Sequence, residues 1–98
     1  MGKYLVLWEM DSSRAPADRK ERGVAWSPLV GMVKQDLKEG RVKDWGAYSG
    51  EPKGYAIFEG THVELGKYVQ QYYPYSTFEI HEVGSIDIVG EVLKSLTS

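Results

Sequence analysis

The chain has no cysteine among its 98 residues. Disulfides, thiolate zinc sites and cysteine nucleophiles are therefore excluded. It also lacks a basic surplus: 12 Lys and Arg stand against 14 Asp and Glu, a formal charge of −2. Nucleic-acid binding needs clustered Lys and Arg to neutralise phosphates, so this balance argues against such a partner. No apolar run approaches the ~20 residues that span a bilayer. The start, Met1-Gly-Lys-Tyr4, passes straight into apolar sequence without signal-peptide architecture. No membrane partner and a cytoplasmic location are expected. No glycine loop that would cradle phosphate is present, and no Ser-His-Asp arrangement can be argued. Histidines number only two, His62 and His81. No His/Glu spacing matches a known metal site, and no axial-ligand pattern stands out. The sequence thus assigns neither a metal nor a cofactor.

Aromatics are plentiful: seven tyrosines and three tryptophans, whose large faces must pack on something. A chain of this length makes one domain. It buries only ~60–70 % of its unfolded surface, so a second chain over an apolar face would help it.

Tyr4-Leu-Val-Leu-Trp8 is nearly continuous apolar sequence and reads as a central strand covered on both faces, within Lys3–Met10. Asp11 to Pro16 reads as a loop. Trp26, Leu29, Val30, Val33 and Leu37 lie at helical spacing. They predict a helix from about Ala17 to Glu39, bent near Pro28 and stopped by Gly40. A start at Ser27 with Pro28 in the first turn is the alternative. Val42–Tyr48 and Tyr55–Phe58 are β-rich around the turn cluster Ser49–Gly54. Thr61-His-Val-Glu64 has capping-box spacing and opens a helix with Leu65, Tyr68, Val69 and Tyr72 on its buried side, ended by Pro74. Thr77–Val83 is a strand. A third helix follows Ser85, with Ile86, Val89, Val92, Leu93 and Leu96 as its apolar side. The order is βαββαβ plus a final helix.

In that order two βαβ units interleave into one antiparallel four-stranded sheet with two helices on one face. Along the first strand, Tyr4, Val6 and Trp8 share one face and Leu5, Leu7 and Glu9 the other. Both sets are largely apolar, so a homodimer is expected to cover the second face.

The apolar first strand ending in Trp8, Asp44-Trp-Gly-Ala-Tyr48 before a hairpin, Gly54-Tyr-Ala-Ile-Phe-Glu59 and Phe78-Glu-Ile-His-Glu-Val83 together resemble the dimeric α/β-barrel superfamily. This ferredoxin-like group includes muconolactone isomerases, antibiotic-biosynthesis monooxygenases and stress-responsive barrel proteins. The chain looks closest to a small branch of uncharacterised domains. The resemblance implies an α+β, ferredoxin-like domain whose two sheets pack face to face as a dimeric barrel. Any pocket would lie between sheet and helices or inside the barrel. No reaction is implied, because this fold hosts many activities.

Glu79 and His81 stand two apart on one strand and share a face. A carboxylate beside an imidazole is a candidate general acid/base pair; the plainer reading is a rim or interface contact. Trp8, Trp26, Trp45 and Tyr48, with Tyr55, are candidates to line a pocket for a flat aromatic or hydrophobic small molecule; otherwise they are core and dimer interface. The tyrosine-rich run Tyr68–Tyr75 reads as a ligand rim or as closure of the helix onto the sheet. His62, beside the Thr61 cap, reads as solvated. Lys53-Gly-Tyr-Ala56 matches the start of an RNA-recognition strand. The match then fails at Ile57 and Gly60, where base-stacking aromatics are needed. Two functions remain: a small-molecule enzyme or binder, and a non-catalytic dimeric module of structural, stress-related or regulatory use.

Overall fold

A computed structural model describes residues 2–98. The main elements are β1 (Gly2–Met10), α1 (Arg19–Glu39), β2 (Val42–Ala47), β3 (Lys53–Gly60), α2 (His62–Gln70), β4 (Ser76–Glu82) and α3 (Ile86–Thr97). The four strands form one antiparallel sheet in the order β2-β3-β1-β4. This α+β arrangement is compatible with a ferredoxin-like fold. The apolar run in β1 does sit inside the sheet, between β3 and β4.

Local chemistry sets the element ends. α1 begins at Arg19, two residues later than expected, because Asp18 is extended and caps it. The Asp18 carboxylate accepts from the Glu21 amide at 3.0 Å. The helix runs through Pro28 and ends at Gly40, whose φ of 90° suits a residue without a Cβ. Proline has no amide to give the Val24 carbonyl, and Ser27 Oγ donates to the Gly23 carbonyl beside it at 2.6 Å. Between β2 and β3, the Glu51 amide donates to the Tyr48 carbonyl, and Gly50 takes a φ of 78° at the third turn position. α2 opens with the expected capping box: the Glu64 amide donates to Thr61 Oγ1, and the Thr61 amide donates to Glu64 Oε1.

Residues paired across strands share a face, so the register assigns every strand residue. Tyr4, Val6 and Trp8 of β1 lie with Phe58, Ala56 and Gly54 of β3. α1 and α2 cover this face. Val6 and Phe58 are 0 % and 1 % exposed, and Leu65, Tyr68 and Tyr72 join them in the core. Burying each such side chain contributes about 1.5–3 kcal/mol. The opposite face holds Leu5, Leu7, Tyr55 and Ile57 at its centre, with Lys3, Glu9, Glu59, Glu79 and His81 around them. None of these residues is buried.

The inward side of α1 is rotated from the expected one. Leu29, Met32 and Val33 pack on the core and Asp36 is buried, whereas Val30 and Leu37 are exposed. Spacings of four and seven from Leu29 lead to Val33 and Asp36, so the carboxylate, not Leu37, continues the inward stripe.

Candidate functional site

A cleft of about 240 Å³ opens between the helix-covered sheet face and α1. β1 supplies Trp8, β2 supplies Trp45 and α1 supplies Trp26. Phe78 of β4 and the rings of Tyr68 and Tyr72 complete its aromatic wall. Trp8 and Trp45 stack with ring centres 5.2 Å apart and planes 10° from parallel. The stack is possible because Gly54 lies opposite Trp8 across the β1–β3 pair. A Cβ on Gly54 would come within 2.6 Å of Trp8 Cζ2 and would collide with the Gly46 carbonyl. Although Gly54 closes the turn cluster in sequence, it is a strand glycine that makes room for an indole. The Trp8 indole N–H donates to the Tyr55 carbonyl at 3.3 Å, fixing the ring. Glu51 and Pro52 of the hairpin turn edge the cleft.

Behind the aromatic wall lies a buried polar pair that the sequence reading missed. The Tyr72 hydroxyl donates to Asp36 Oδ2 at 2.5 Å. Asp36 is only 6 % exposed. Burial pushes its carboxyl above the ordinary value, and the bond from Tyr72 opposes that rise. The Tyr72 hydroxyl is held protonated, first by burial and then by the neighbouring carboxylate. Asp36 also borders a second, polar hollow of about 230 Å³ that includes Arg41, Glu64 and Lys67. Tyr68 is shared by the two hollows. The available signal was Asp36 itself, a carboxylate at the spacing of the buried stripe.

Of the expected pocket residues, Trp8, Trp26 and Trp45 converge on the cleft. Tyr48 does not line it. That residue sits exposed at the hairpin, where its amide donates to the Lys53 carbonyl. Tyr55 lies on the opposite sheet face, its hydroxyl donating to Asp44 Oδ2 at 2.7 Å. The run from Tyr68 to Tyr75 divides. Tyr68 and Tyr72 are buried; Tyr73 and Tyr75 are exposed.

Glu79 and His81 are joined, His81 Nε2 lying 2.9 Å from Glu79 Oε2. Their side chains are 69 % and 57 % exposed and belong to the bare sheet face, opposite Leu7 and Leu5. Within one chain the sheet separates this pair from the cleft. His62 is exposed in the first turn of α2. Among the described residues, no group of three or more His, Asp or Glu is placed to hold a metal ion. No helix among them is long and apolar enough to cross a membrane.

Compared with models of known protein families and with curated proteins, the chain matches none.

Proposed function

We propose that this chain binds a small, flat, largely apolar molecule in the cleft between the sheet and α1, as one half of a homodimer joined through its bare sheet face. One observation carries the binding reading: three tryptophans from three separate elements meet around a single hollow. Pockets for small molecules are concave, mostly apolar and furnished with few polar groups. An indole stack favours a planar guest, which gains from offset ring contacts. The hollow is lined without a Lys, Arg or His side chain, while Glu51 stands at its edge. A neutral guest fits these surroundings better than an anion.

Titration with 2-naphthol, followed by tryptophan fluorescence, tests the reading. Saturable quenching is expected, with affinity at least tenfold weaker in Trp45→Ala. Quenching that never saturates, or equal affinity in the variant, would overturn it.

A second reading, a non-catalytic dimeric module, draws support from Glu79 and His81. Their solvated pair is what a structural module would carry, since neither side chain reaches the cleft. The naphthol titration separates the readings, since a structural module gives no saturable quenching, and His81→Ala tests whether the pair takes part in binding. Unchanged naphthol affinity leaves the cleft as a binding site without that acid/base pair.

A further inference from the structure

Among the described residues, the third helix has no side chain buried against the rest of the chain. Every residue from Ile86 to Thr97 is exposed, Ile86 at 82 % and Leu96 at 74 %. At 100° per residue, Ile86, Ile88, Val89, Val92, Leu93 and Leu96 fall on one side, with Asp87, Glu91 and Lys94 on the other. A lone helix of about 12 residues is marginal in water, and helices of that length owe their stability to a packed apolar side.

The surface area points the same way. A compact chain of 11.1 kDa exposes about 5,700 Å², whereas this one exposes 7090 Å², an excess of roughly 1,400 Å². Its radius of gyration is 16.5 Å, against about 13 Å for a compact domain of ~100 residues. A standard protein interface covers about 800 Å² on each partner, and obligate homodimers cover more. The excess is thus of the size that a second copy removes.

Two further features favour a second copy over other occupants. The bare sheet face is also without a partner, and it leads to α3. The Val83 amide donates to the Lys3 carbonyl at 2.7 Å, and only Gly84 and Ser85 separate Val83 from the helix. Lys3 is paired with Glu59 at one end of that face and Lys53 with Glu9 at the other, with Glu79 and Asp44 at its edges, a mixed rim that can meet a rotated copy of itself. An anionic lipid surface is disfavoured, because the polar side of α3 carries one lysine against two acids.

We propose that α3 is an arm exchanged between two copies of this chain, each arm packing its apolar side on the other copy and extending the interface beyond the sheet face. The proposal rests on the homodimer reading and names the segment that secures it.

Sedimentation equilibrium of the full chain and of the double variant Val89→Glu/Leu93→Glu tests the arm. It is combined with isotope-filtered NOE spectra of a mixture of labelled and unlabelled chains. The expected result is a particle of twice the chain mass, at least tenfold weaker association in the variant, and methyl contacts from Val89, Val92 and Leu93 to the other copy. A dimer whose α3 methyl contacts stay within one chain, or whose association survives the double variant, overturns the arm and leaves the homodimer standing. A monomer at tens of micromolar overturns both. The naphthol titration reports on the cleft separately in every case.

Discussion

The two faces of the sheet share their strands and differ in nearly everything else. On one, Val6, Ala56 and Phe58 are almost wholly buried under α1 and α2. On the other, Leu5, Leu7 and Ile57 sit at the centre and none is buried. The side chains are of similar polarity, so hydrophobicity alone does not separate the faces. What differs is the cover: the crossover helices of both βαβ units lie on one side. The covered face becomes core and cleft; the bare face keeps its apolar area partly exposed.

Substitutions on the two faces sharpen this contrast. Phe58→Ala should have the largest effect, lowering stability by about 3–5 kcal/mol through lost burial and a residual cavity. Leu7→Ala should cost below about 1.5 kcal/mol in a lone chain, since Leu7 is only half-buried there. For a homodimer that cost grows with protein concentration. Urea unfolding at two concentrations measures both, and equal losses for Phe58 and Leu7 in dilute protein would break the comparison.

Tyr72→Phe should cost about 1–3 kcal/mol, because it leaves the buried Asp36 carboxylate without its hydroxyl donor. Asp36→Asn should be tolerated better. Thr61→Ala should remove about 1 kcal/mol by opening the capping box of α2. Thermal unfolding ranks these variants.

The smallest effect concerns pH, where two carboxylates act with opposite signs. The Thr61 amide, and then Arg41, hold Glu64 down to about 2, below its ordinary 4.5. Its stabilisation is present above pH 4.5 and is lost as pH falls toward 2. Asp36 titrates above its ordinary 3.8 in the folded chain. The folded state therefore keeps that proton longer than the unfolded chain. Stability falls as pH climbs from 3.8 through the raised value. The urea midpoint from pH 2 to 7 should lose its acid limb in Glu64→Gln and its higher-pH decline in Asp36→Asn. Unchanged profiles in both variants would remove this account.

Much of the fold was legible. The continuous apolar run of β1, the turn residues around Gly50 and the Thr61–Glu64 spacing are local signals, and local chemistry acts on them wherever the chain goes. The tryptophans of the cleft were named as candidates to line one pocket, together with Tyr48 and Tyr55, which do not reach it. Trp8, Trp26 and Trp45 come from distant parts of the chain. Gly54 misled because a turn glycine and a strand glycine under an indole look alike in sequence. Asp36 was overlooked because a carboxylate on an apolar stripe acquires meaning only with Tyr72 opposite it. Glu79 and His81 were correctly put side by side, since a spacing of two on a strand settles that much. Their separation from Trp8 was set by the β1–β4 register, which places Phe78 rather than Glu79 opposite it.

The amino-acid order by itself determined the elements, their caps and the two-sided apolar character of β1, because these depend on neighbours a few residues away. Only the tertiary structure decided which face of the sheet became core, which aromatics surround a hollow, and that α3 leaves the body with its apolar side unpartnered. Those outcomes depend on contacts between segments far apart in the chain, where burial is shared among residues that no local pattern connects.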